Sequence, residues 1–237
     1  MQHIFKRYEK KYLITGEQAA IVEAALASHM TADQFDTYWV QNLYFDTDNW
    51  DVIQTSMQRP YYKEKMRLRC YGALEETEQV FMEIKKKYDG VVYKRRIGLP
   101  LGLLSRPFGD LLDEGSVQIA RELAFYLQST QVAEKMFISY RRKAFSGKED
   151  TGLRVTFDSD IRYRLDHLHF YEPSRGRSVM QAGYQLMEIK TPTSIPLWFA
   201  RLCSENGIFS ASYSKYAICY TDYLQRRHAG KRVMEHA

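Results

Sequence analysis

The chain has 237 residues, with 34 Lys+Arg against 29 Asp+Glu, a formal charge of +5 and 45% apolar residues. A charge this mild, patterned rather than run together, excludes a nucleic-acid coat protein, and no stretch approaches the roughly 20 apolar residues of a membrane span. Cys70, Cys203 and Cys219 are scattered without CxxC spacing, and residues 1–7 offer no apolar signal core. The sequence therefore reads as a cytoplasmic protein with reduced core thiols, neither a disulfide framework nor a zinc site, and as one domain over residues 1–237.

Arg7 to Lys11 alternates in the manner of a strand, and Thr15-Gly16-Glu17-Gln18 is a capping box that opens a helix through about His29. Ile21, Ala24, Ala25 and Leu26 form its apolar stripe. Tyr38 to Asp46 is rich in strand formers; Asp46 reads as a turn or cap acid, and Asp48 as the cap of a short helix ending before Arg59-Pro60. Strands follow near 63–71, 80–88 and 91–98, the last two joined by the turn Tyr88-Asp89-Gly90. The spacing of Ile119, Leu123, Tyr126 and Leu127 predicts a helix over 116–129. Strands near 135–145, 152–164 and 184–191 come next. A helix then runs from Ser194-Ile-Pro-Leu to Asn206-Gly207, and another, carrying Tyr216, Cys219, Tyr220, Tyr223 and Leu224, over about 213–227. His167-x-His169 lies in a polar stretch and reads as an exposed hairpin rather than a metal pair. Eight antiparallel strands favour an α+β protein with a closed β-barrel and helices packed outside, because closure removes sticky edges.

The strand faces carry the functional signal. Arg7, Lys11, Arg67, Arg69, Lys85, Lys87, Lys94, Arg96, Arg154 and Lys190 share their faces with Glu9, Glu83, Asp158 and Glu188, a net +6. A solvated sheet held by cross-strand salt bridges is the bland alternative. A dry core would cost several kcal/mol for each ion removed from water, so the barrel interior is expected to be a wet tunnel. Its surplus charge suits a nucleoside triphosphate or a chain of phosphates, held by Arg forks and Lys point charges. The acids would face repulsion there unless they hold a divalent cation, Mg²⁺ or Mn²⁺, with Glu188, Glu9 and Glu83 as candidate ligands.

The ordered set Glu9-x-Lys11, Arg67-x-Arg69, Glu83-x-Lys85, Arg154-x-x-x-Asp158, Glu188-x-Lys190 and Ser214-Lys215 resembles the triphosphate tunnel metalloenzymes. Asn42-Leu-Tyr-Phe-Asp46, Arg67-Leu-Arg-Cys-Tyr-Gly72, Met82-Glu-Ile-Lys85, Tyr140-Arg-Arg-Lys-Ala144 and Ser214-Lys-Tyr216 look most like the vacuolar transporter chaperone (VTC) polyphosphate polymerase domain. The resemblance implies an eight-stranded antiparallel tunnel that transfers the γ-phosphate of ATP to polyphosphate. By position, Lys11, Arg67, Arg69, Lys85, Lys94, Arg154, Ser214 and Lys215 would hold phosphates, with Lys85, Arg154 and Lys215 at the reacting group and Glu188 on the metal. The charged-face pattern adds Arg96 and Lys190. Alternatives within the fold are a triphosphatase or a cyclase; outside it, a non-catalytic polyphosphate-binding module. Ser212 stands where a basic residue is expected, and neither an SPX domain nor membrane helices are expected of this sequence.

Overall fold

The computed structural model describes residues 8–72, 79–89, 91–102 and 118–234, the last five by backbone alone. Arg7 and Gly90 therefore lie outside the described residues, as does the start of the helix predicted from residue 116.

The elements in order are β1 (Tyr8–Thr15), α1 (Gly16–His29), β2 (Met30–Ala32), β3 (Tyr38–Asp46), α2 (Asp51–Met57), β4 (Tyr62–Tyr71), β5 (Gln79–Tyr88) and β6 (Val91–Pro100). There follow α3 (Gln118–Thr130), β7 (Ala133–Gly147), β8 (Arg154–Arg164), β9 (Arg177–Ser178), β10 (Tyr184–Thr191), α4 (Leu197–Glu205) and α5 (Lys215–Met234). The capping box at α1 forms as expected. Thr15 Oγ1 accepts from the Gln18 N–H at 3.2 Å, and Gln18 Oε1 accepts from the Thr15 N–H at 3.1 Å. At α2 the capping acid is Asp46, which accepts from the N–H groups of Val52 and Ile53 at 2.9 and 3.0 Å. Asp48, expected there, instead pairs with Lys135 at the surface.

All pairings are antiparallel, and the main sheet runs β1-β10-β8-β7-β3-β4-β5-β6, with β2 beside β7 and β9 beside β8. The expected barrel is not closed by hydrogen bonds among the described residues: no ladder joins β6 to β1. The free edge of β1 is engaged elsewhere. The chain between α4 and α5 lies along it, the Ala211 N–H donating to the Lys11 carbonyl at 2.7 Å and Tyr12 bridging Ser210.

Three apolar clusters position the helices. On the convex side, α3 covers Leu43, Met66, Leu68, Val80, Met82 and Ile84, while α1 and α4 cover Ile14, Val155, Phe157, Met187 and Ile189. The third cluster corrects the expectation that every helix packs outside. Tyr216, Cys219 and Tyr220 of α5 bury Val40, Ile138, Tyr140, Ile161, Tyr163 and Leu186, all on the concave face. β8 reaches that arrangement through an irregularity opposite Ser139–Arg141, where Asp160 adopts a φ of +50°. One extra residue shifts the strand's phase. Arg154, Thr156 and Asp158 face the charged half of the concavity, and Ile161 and Tyr163 face α5. Cys70, Cys203 and Cys219 are buried thiols outside any disulfide, as the sequence indicated. No described helix is long and apolar enough to cross a membrane.

Candidate functional site

The register brings the charged strand positions onto one concave face. Lys11 pairs with Glu188 and Glu9 with Lys190. Lys65, Arg67 and Arg69 of β4 lie opposite Lys85, Glu83 and Phe81 of β5. Lys94 and Arg96 of β6 lie opposite Lys85 and Glu83. Although β1 and β5 are near opposite ends of the ladder, Lys85 and Lys190 both act electrostatically on Glu9, so the two walls face each other.

One wall is organised by Glu83. It is 1% exposed and accepts from Arg67 Nε and Nη2, both at 2.9 Å; Lys94 contacts its other oxygen, and Arg69 Nε approaches to 3.9 Å. Burial alone would raise its pKa, but Arg67, Arg69 and Lys94 hold it far below the carboxylate range. Glu83 is thus the counter-ion of three bases. Arg69 Nε also donates to Asn42 Oδ1 at 2.8 Å, and Arg67 Nη1 to the Tyr44 hydroxyl at 3.0 Å, which fixes both guanidinium planes.

The opposite wall holds the remaining acids. Asp158, fully buried, receives Arg142 in a two-point fork at 2.6 and 2.7 Å and Lys215 at 2.6 Å. Lys215 also reaches Glu188 Oε1 at 2.9 Å, Lys190 reaches Glu188 Oε2 at 3.0 Å, and Lys11 stands between Glu188 at 3.7 Å and Glu9 at 3.2 Å. Burial pushes the Asp158 and Glu188 carboxyls up, but these cations outweigh it and keep both ionised, with pKa values below their ordinary ones. Tyr140 forms the floor, with Lys215 4.6 Å and Arg142 5.2 Å from its ring centre.

Between the walls, Lys65 and Lys85 have no carboxylate within ion-pair distance among the described residues. Lys65 lies 5.6 Å from the Tyr216 ring centre. Burial, together with Lys63, Lys85, Lys11 and Arg67, pulls its ammonium down to about 7. Lys85 lies between the walls but is exposed to solvent; the crowding around its ammonium still lowers its pKa, by desolvation first, with Glu9 opposing.

Several expected positions differ in detail. Arg154 is half-buried at the rim, its guanidinium on Asp33. Arg142, missed in the sequence, occupies the interior instead; the signal was its position in Tyr140-Arg-Arg-Lys, where two adjacent bases hide which one points inward. Lys65 was also missed, because Lys63-Glu-Lys-Met-Arg is too uniformly charged to single it out. Ser214 caps α5, its hydroxyl accepting from the Ala217 N–H at 3.3 Å. Arg96 lies over Phe81, 4.7 Å from the ring centre. His167 is exposed and His169 half-buried in the β8–β9 loop, as expected of a hairpin.

A divalent cation fits only part of the predicted set. Among the described residues no three His, Cys, Asp or Glu side chains converge to hold a metal ion. Glu9 and Glu188 are brought together around Lys11 and form a pair; Glu83 is engaged by Arg67, Arg69 and Lys94 on the other wall. Two carboxylates match a Mg²⁺-type ion that takes its other ligands from phosphate oxygens and water.

The site is a concave antiparallel sheet face whose central lysines, Lys65 and Lys85, have no carboxylate at ion-pair distance among the described residues. A model of the VTC domain matches residues 6–223, and the chain belongs to that family. The PH1819 protein of Pyrococcus horikoshii OT3 superposes with a TM-score of 0.51 at 12% identity, over 92% of this chain and 98% of that one. A putative adenylate cyclase from Bacillus halodurans gives 0.48 at 14% identity, over 90% and 95%. At such identities the first of these likenesses speaks for the fold alone. No curated protein matches the sequence.

Proposed function

We propose that this protein is a triphosphate tunnel enzyme that makes polyphosphate from the γ-phosphate of ATP. The observation that carries the reading is the Lys65–Lys85 centre. Like charges directly opposite in a sheet destabilise it, and among the described residues no acid offsets them at ion-pair distance, which makes sense if an anion completes the site. Phosphoryl transfer asks mainly for positioning and charge neutralisation. Arg67, Arg69, Lys85 and Lys94 would hold the phosphates from one wall, and Arg142, Lys11 and Lys215 from the other. Glu188, with Glu9, would hold Mn²⁺ or Mg²⁺, which neutralises developing charge when bound. Lys11, Lys190 and Lys215 could then exchange carboxylate for phosphate partners.

Purified protein with ATP and Mn²⁺ is expected to yield ADP and acid-insoluble phosphate polymer, followed by gel staining or ³¹P NMR. Lys85→Ala should weaken tripolyphosphate binding roughly ten- to a hundredfold, the worth of one charge-assisted contact. Orthophosphate as the only phosphate product would favour a triphosphatase, and cyclic nucleotide a cyclase. Binding without turnover would leave a non-catalytic module.

Binding should also carry a proton. Lys65, at about 7 in the free protein, must be charged beside phosphate, so its pKa rises on binding. Below about pH 7 it is already protonated and affinity is flat; between about pH 7 and 9 affinity falls as each complex takes up a proton. Calorimetry at pH 8 in buffers of different ionisation enthalpy measures that uptake. None at all would remove Lys65 from the site.

A further inference from the structure

The lysine ladder continues past the point that a triphosphate requires. Lys63 and Lys87 are directly opposite each other, one step beyond Lys65 and Lys85 along the same face. Two successive same-face lysine pairs in one antiparallel register are costly, and among the described residues Lys63 and Lys87 have no carboxylate at ion-pair distance. The Lys63 ammonium is steadied by the Ser56 carbonyl at 3.1 Å, at the end of α2. Arg59, just beyond α2 with a φ of +56°, adds its charge to the same place, since it and Lys87 both act electrostatically on Lys63. Along the same register the acid Glu83, opposite Arg67, lies on the other side of the Lys65–Lys85 pair from Lys63–Lys87. Along β4 and β5 the charged face thus has a direction, with Glu83 and its ion-paired bases at one end and bases alone at the other.

We propose that Lys63 and Lys87, with Arg59, form a second subsite that receives the non-reacting length of a condensed phosphate chain, which runs from the acid-bearing wall past Lys65–Lys85 and out beside α2. This rests on the polyphosphate reading above and assigns a direction to it. A longer chain gains the extra cations, so chain length itself becomes the readout.

The experiment compares the affinity of sodium tripolyphosphate with that of a chain of several tens of phosphates, at fixed salt and equal concentration of chains. The intact protein is expected to bind the long chain roughly ten- to a hundredfold more tightly. In the Lys63→Ala/Lys87→Ala double variant the ratio of the two affinities should fall towards one. In a control double variant, Lys86→Ala/Lys135→Ala, which removes two bases already ion-paired with Glu64 and Asp48, the ratio should stay high. A ratio near one in the intact protein, an undiminished ratio in the first variant, or an equal fall in the control would each overturn the exit track. Failure to bind even tripolyphosphate would overturn the polyphosphate reading itself, so the two failures are distinguishable. Circular dichroism of each variant confirms that the fold is retained.

Discussion

Glu188→Gln is expected to lower Mn²⁺-dependent turnover roughly a hundredfold or more while leaving tripolyphosphate binding intact or tighter. The amide keeps the shape of the carboxylate but cannot neutralise a dication. Loss of even an outer-shell metal partner costs about 10–100-fold, and a direct ligand should cost at least as much. Binding should move the other way, because Glu188 now competes for Lys215, Lys190 and Lys11 at 2.9, 3.0 and 3.7 Å. Freed of that acid, the three ammonium groups face the phosphates alone. Steady-state turnover and calorimetry on the same preparation separate the two effects. Normal turnover would make Glu188 a salt-bridge partner only, and a parallel loss of binding would mean that it orders the lysines.

Arg142→Met should destabilise the protein by about 3–5 kcal/mol at neutral pH, because it removes the fork that compensates a fully buried carboxylate. The pH dependence identifies the cause. In the intact protein Asp158 has a depressed pKa, so its contribution is present above its ordinary value of 3.8 and is lost as pH falls through the folded value. In the variant burial has less to oppose it, the folded pKa rises, and stability declines as pH climbs above about 4. The gap between the two proteins should therefore be widest near pH 7.5 and narrow towards pH 4.5 in urea melts. A constant gap would assign the loss to packing. Asp158→Asn in the Arg142→Met background should recover part of it.

The sequence alone determined the strands and the chemistry of one face. Alternation at Arg67-x-Arg69, Glu83-x-Lys85 and Glu188-x-Lys190 sets side-chain direction locally, by the two-residue strand period, so the charged face could be read before any pairing was known. The capping box of α1 and the helical spacing of Tyr216, Cys219 and Tyr220 were legible for the same reason. What only the tertiary structure decided is non-local. Which acid serves which base depends on register, and register makes Glu83 the counter-ion of Arg67, Arg69 and Lys94 while it brings Glu9 and Glu188 together. The phase shift at Asp160 turns β8 from a charged to an apolar lining, and one inserted residue leaves too little trace in composition to announce that. The placing of α5 inside the concavity depends on Val40, Ile138 and Leu186, inward residues scattered over three strands, finding a common cover. Arg142 rather than Arg154 reaches the interior because Asp158 is opposite Arg142 in the ladder, while Asp33, far away in sequence, claims Arg154 at the rim.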